Sequence, residues 1–183
     1  MSQLKVDSII PVGGIPSGGT GGVIQAKQTV KTDTFSQNLA RGASSNVVMS
    51  VDFTPLKSTS ILKISAFLCV GTEAVSGLPR AGFILTADGT TISGATGDQG
   101  QSSQVRVMSQ ASLNNSNEIF GICNLGGTYF HTVSNTNQVT YGVKVVSIEG
   151  DTVDFFVNRC ASDQDAAFLA RSMSTLTVEE LSV

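Results

Sequence analysis

Tryptophan is missing from the 183 residues, and histidine occurs once, as His131. A lone histidine with no cysteine beside it leaves any metal site to be gathered from distant donors. It also weakens a Ser-His-Asp triad, and no G-x-S-x-G elbow is present. The expectation for His131 is a surface or interface residue on an alternating strand. Cysteine is scarce as well: Cys69, Cys123 and Cys160 are far apart and make no C-x-x-C pair. An odd, unclustered set argues against a disulfide framework. Each lies in or beside an apolar run, so each reads as a small buried hydrophobe.

Charge is low. Asp, Glu, Lys and Arg make up 14% of the chain, against about 25% in an average soluble domain. The formal net charge is −3 and no long run carries one sign. Nothing here recruits nucleic acid or a membrane surface. No stretch approaches the roughly 20 apolar residues that span a bilayer. The opening "MSQLKVDSIIPVGG" lacks the apolar segment of a secretory signal. The expectation is synthesis in a cytoplasm, followed by retention there or assembly into something larger.

Glycine, by contrast, is abundant, at 19 residues. The densest run is "VGGIPSGGTGG", Val12 to Gly22. Its register partly mimics a P-loop, but Gly19 stands where the phosphate-binding lysine belongs. A P-loop also opens a helix, whereas "VIQAKQTVKT" is β-branched and strand-like. Gly13, Gly14, Gly18, Gly19, Gly21 and Gly22 therefore read as a flexible linker. Before them, "LKVDSII" makes at most a lone short strand, which needs a partner surface to be ordered. Leu4, Val6, Ile9 and Ile10 are the candidate anchoring residues of that arm.

Beyond the arm, apolar residues recur with a period of two. In "TSILKISAFLCV", Leu62, Ile64, Ala66 and Leu68 share one face. "GTYFHTVS" sets Tyr129, His131 and Val133 against Phe130, Thr132 and Ser134. "STLTVEEL" puts Leu176 and Val178 on one side. "NVVMSVDF", "SQVRVMSQASL", "NQVTYGVKVVSI" and "DTVDFFVNR" also read as strands, and Asp88-Gly89 reads as a hairpin turn. Such strands between Gly, Asn, Asp and Pro turns predict an all-β fold. The expected architecture is an antiparallel, jelly-roll-like β-sandwich of about eight to ten strands. The arm takes residues 1–25 and the sandwich residues 26–183. One helix of at most two turns is expected over Ser162–Ser174, with Ser162 as its cap and Asp163 and Asp165 at its positive end.

Paired carboxylates at Asp163 and Asp165 are the one arrangement reminiscent of glycoside hydrolysis, and the expected helix start accounts for them without catalysis. "NNSN" reads as a turn. Two polar loops, with Gln99 and Gln101 in one and Asn114, Asn115 and Asn117 in the other, are the candidate receptor-contact tips. No residue set points to a cofactor.

Five segments carry a resemblance. "LKV" stands near the initiator Met. A Gly-rich stretch then leads into "GGVIQAKQTVKTDTFS". "STSILKISAFLCV" follows, then "VTYGVKVVSIEGDTVDFFVNR", and finally "STLTVEEL". In this order they resemble a family of tailed-phage virion proteins common in marine and cyanobacterial phages. The match departs at "FFVNR" and leaves residues from about Gly94 to Ser116 uncovered. The resemblance implies a tail fibre or fibre-like virion component, with a capsid decoration protein as the alternative. It implies no catalytic residues, a virion location, homotrimeric self-association, other virion proteins as partners, and a host-surface glycan as a candidate ligand.

Overall fold

The computed structural model describes residues 22–73, 80–98, 103–112, 119–148, 152–167 and 169–182. Eleven strands run through these residues in two antiparallel sheets. The first sheet holds β1 (Val23–Lys31), β2 (Phe35–Leu39), β4 (Ile61–Thr72), β8 (Cys123–Thr132), β10 (Val153–Val157) and β11 (Ser174–Leu181). The second holds β3 (Met49–Phe53), β5 (Arg80–Ala87), β6 (Thr90–Thr91), β7 (Ser109–Ser112) and β9 (Val139–Ser147).

Register reduces these strands to eight rows. Val70 of β4 faces both Cys123 of β8 and Val157 of β10, so those two strands flank β4 on opposite edges. Ile61 faces Thr132 of β8 and Leu181 of β11, so β11 continues the row of β10. β1 pairs with β11 and β2 with β10, making one further row. In the second sheet β9 lies on one edge of β5, while β6 and β7 share the other. Numbered along the chain, the rows run first, eighth, third, sixth in one sheet. They run second, seventh, fourth, fifth in the other. That connectivity is a jelly roll.

The period-two pattern places the core. Leu62, Ile64 and Leu68 of β4, and Leu176 and Val178 of β11, are fully buried between the sheets. They meet Phe53, Phe83, Leu85, Val143, Val145 and Phe155. The Asp88-Gly89 turn has positive φ at both residues, 48° and 79°, as a two-residue hairpin of the I′ type requires.

Two rows are interrupted by excursions. The row of β6 and β7 leaves the sheet after Ile92, whose amide donates to Leu85 O, and resumes at Met108, whose amide donates to Phe83 O. The row of β10 and β11 leaves at Asn158 and resumes at Ser174. The helix expected over Ser162–Ser174 is not formed in the described part of that span. Tertiary bonds win instead: Ser162 N donates to Ile119 O, Arg171 pairs with Asp163, and Ser174 begins β11. Two turns of helix carry too few internal bonds to offset the cost of nucleation. The strand expected over "SQVRVMSQASL" is likewise only Ser109–Ser112, because Val105 and Val107 belong to the first excursion.

That excursion explains why β5 and β9 are buried on both faces, not in alternation. Ile84 and Val146 point away from the core and are still only 7% and 3% exposed. Gly82 makes the contact feasible, since a Cβ there would sit 2.6 Å from Val107 Cγ1.

Both open edges of the sandwich are closed by side chains. Gln25, Lys27 and Thr29 of β1 donate to the carbonyls of Thr54, Asp52 and Ser50 on the β3 side, at 2.7, 3.0 and 2.7 Å. Alternate residues of one strand thus satisfy alternate carbonyls of another without a backbone ladder. At the opposite edge Met108 packs over Gly127, and Tyr129 fills the space that a side chain at Gly94 would take.

Candidate functional site

Between the first excursion and the outer face of the second sheet lies an open cleft of about 560 Å³. That volume falls within the range of small-ligand sites. Ile84 of β5 and Val146 of β9 form its floor. Hydroxyls of Ser44, Thr91, Ser93 and Thr96 stand around it, and Gln104 and Arg106 form the far wall. The Arg106 Nε donates to Gly97 O at 3.0 Å, which ties the two arms of the excursion together. A second hollow of about 320 Å³ shares Gln104, Val105 and Arg106 and adds Arg41, Arg80 and Asp98. The arrangement offers apolar carbon below and hydrogen-bonding groups at the sides.

A different kind of site sits in the first sheet. Asn158 is fully buried with φ of 64°, a left-handed conformation that Asn tolerates better than most residues. Its amide Nδ2 donates to Lys31 O at 2.8 Å and Asp33 O at 2.9 Å. Its Oδ1 accepts from Ser174 Oγ at 2.6 Å, and its backbone N–H donates to Cys69 O. One side chain thus fills the gap between β1 and β2 and closes the base of the second excursion. Lys31 and Asp33 lie in "KTDTFS", Cys69 in "ILKISAFLCV", Asn158 in "FFVNR" and Ser174 in "STLTVEEL". Four of the segments singled out in the sequence therefore meet at this residue. Next to it, the Arg159 guanidinium stacks 4.1 Å from the Phe156 ring centroid and donates to Cys160 O and Ala161 O.

Glu180 is the one fully buried acid among the described residues. Burial by itself raises its carboxyl pKa. The Leu56 and Lys57 amides and the Gln25 side chain stabilise the anion, and the net displacement is below the ordinary value. The carboxylate pins the 54–60 connection to β11 and β1.

The other sequence candidates fall as follows. Leu4, Val6, Ile9, Ile10, Gly13, Gly14, Gly18, Gly19 and Gly21 lie outside the described residues, as do Gln99, Gln101, Asn114, Asn115 and Asn117. Gly22 is described, and its carbonyl accepts from Ser182 N at 2.9 Å. β1 starts directly after it, so the glycine run leads into a strand. His131 is half-buried, not a plain surface residue; its Nδ1 is 2.9 Å from Tyr141 Oη. Burial lowers the histidine pKa, and burial followed by the Asp88 charge pushes the tyrosine up to about 12. Cys69 and Cys160 are buried as expected, while Cys123 is intermediate. Burial pushes the Cys123 thiol up to about 11, so it is not an activated nucleophile at neutral pH. Asp163 is committed to Arg171.

No group of His, Cys, Asp and Glu able to hold a metal occurs among the described residues, and among them no helix is long and apolar enough to cross a membrane.

No family model matches the sequence, and no curated protein does. Among solved structures, the C-terminal domain of EclA, a sugar-binding protein, is similar at 13% identity. The match covers 92% of this chain and 89% of that one, with a TM-score of 0.35. A structure of infectious bursal disease virus, Gt strain, is similar at 13% identity over 88% of this chain and 39% of that chain, with a TM-score of 0.40. Dimeric latent PorU from Porphyromonas gingivalis is similar at 11% identity over 90% of this chain and 14% of that one, with a TM-score of 0.32. At these TM-scores the likenesses carry no argument about function.

Proposed function

We propose that the chain is a virion structural protein, a tail fibre or fibre-like appendage. In this reading residues 1–21 anchor it to the particle and the jelly roll is displayed outward for host attachment. The observation that carries the reading is the convergence at Asn158. Parts of four of the segments resembling tailed-phage virion proteins lie in the first sheet and bond to Asn158 through its side chain or its backbone N–H, while β9 of the same set lies in the second sheet. A sandwich with closed edges and low charge suits a part that works by surface fit and repetition. Fold alone does not assign function, so the resemblance supplies the particle and the geometry supplies the coherence.

A capsid decoration protein is the second reading. It is favoured by the outer face of the first sheet, where Phe67 and Phe130 are 42% and 56% exposed. They stand among Ser65, Thr128 and Thr177, which pair laterally with one another or with Gln28. Such a face suits packing on a neighbouring subunit. A version lacking residues 1–21 tests the anchoring role. It is expected to fold, since β1 begins at Val23, and to be absent from purified particles. Incorporation at the level of the intact chain would remove the anchoring role and shift the balance to the decoration reading.

A further inference from the structure

Positive charge is unevenly spread over this acidic chain. Of its five arginines, Arg41, Arg80 and Arg106 line one hollow, against the single carboxylate of Asp98. Arg41 and Arg80 are exposed, and their side chains make no hydrogen bond or ion pair with other described residues. The other two arginines are occupied: Arg159 by Phe156 and backbone carbonyls, Arg171 by Asp163. Guanidiniums left uncommitted beside a preformed cleft are poised for an anion, and their planar fork matches a carboxylate two bonds at a time. The adjoining cleft supplies the rest of a sugar site. Ile84 and Val146 give an apolar floor for ring C–H groups, and the hydroxyls of Ser44, Thr91 and Ser93 line the walls.

We propose that the joined hollows bind a carboxylate-bearing sugar residue of a surface glycan, with Arg41 and Arg80 on the carboxylate and the cleft walls on the ring hydroxyls. The assignment deepens the attachment reading above by naming the ligand class. A neutral sugar leaves the guanidiniums unused. A sulfate or phosphate polyanion uses them but needs neither the apolar floor nor the hydroxyl wall. Because the contacts are charged and exposed, affinity falls as salt rises.

The test is calorimetric titration of the full chain with two probes, an oligogalacturonate and an N-acetylneuraminyl oligosaccharide. Each is run beside its carboxyl-reduced counterpart, with a heparin hexasaccharide and a single-stranded oligonucleotide as polyanion arms. Saturable binding to at least one carboxylated probe is expected, weakened at least tenfold by carboxyl reduction. The Arg41→Gln/Arg80→Gln double variant is expected to lose at least tenfold, Arg80→Lys less than that, and Lys57→Gln nothing. The replaced side chains have no partners to lose among the described residues, and unchanged thermal unfolding of the double variant checks this. Equal binding of the reduced probes, stronger binding of heparin or the oligonucleotide, or no binding of either carboxylated probe overturns the proposal. The double variant should still join particles; failure to join would make the hollow an assembly contact and also overturn it. Conversely, a chain that binds the carboxylated probe but never enters particles defeats the attachment reading while leaving this one standing.

Discussion

Asn158 shows what a single polar residue contributes when three strand ends converge on it. Replacing it with Ala strips donors from Lys31 O and Asp33 O and an acceptor from Ser174 Oγ, all close to the core. It also places a Cβ without a compensating polar group at positive φ. The expected cost is about 2–4 kcal/mol in urea unfolding. Asn158→Gly loses the same bonds but not the backbone preference, so it should be the milder variant by about 1 kcal/mol. Equal losses would mean that the left-handed geometry carries no strain. Glu180 gives a pH signature. Its carboxyl is held below the ordinary value of 4.5, so its contribution is full above that value and lost as pH falls through the folded-state pKa. Unfolding curves of the native chain and Glu180→Gln should therefore diverge above about pH 4.5 and converge in stronger acid. A constant gap down to pH 2 would contradict the assignment. Neither residue stood out in the sequence beforehand. Burial of a polar group depends on partners distant in the chain, and neither residue's partners lie near it in sequence.

At the level of elements, the rows that bury one face were plainly legible and the rows that bury two were not. Leu62, Ile64, Ala66 and Leu68 of β4 alternate with half-exposed or exposed residues as far as Phe67, and the structure buries that set. β5 reads "RAGFILTA", apolar at both parities, because the 103–107 segment covers its outer side. That run was the available signal for a covering layer, and alternation alone does not reveal it. The missing helix near Ala166 teaches the converse: good local formers yield when both ends of the segment are tied elsewhere. The covering layer makes a specific prediction. Gly82→Ala would press a methyl into Val107 and Ile148, at an expected cost of about 1–3 kcal/mol for overpacking. Hydrogen exchange should rise at residues 103–107 and stay unchanged in β4; a rise in β4 would mean that the two layers are not separable. The edge closure predicts a second effect. Combining Gln25→Ala with Thr29→Val removes two of the side-chain bonds to the β3 side. It should cost about 1–3 kcal/mol and promote self-association through the uncovered edge. A strictly monomeric, equally stable variant would show that the closure is incidental.

For the whole molecule, eight rows in jelly-roll order leave surfaces of distinct character. One outer face is hydroxyl-rich and carries Phe67 and Phe130. The other bears a cleft beside Arg41 and Arg80, whose side chains have no partner among the described residues. The fold class followed from period and turns alone. The candidate contact loops of the sequence reading were placed by polarity. Gln99 and Gln101 lie outside the described residues. The cleft itself left no clear trace in the sequence, because Arg41, Arg80 and Arg106 come from three separate rows and connections. The account stands or falls on where the chain resides. An electron-cryomicroscopy reconstruction of particles carrying it should contain a two-layered density of this topology, repeated by symmetry on an outward-facing appendage, with the arginine cleft open to solvent. Particles complete without that density, or the same density enclosed inside the shell, would contradict it.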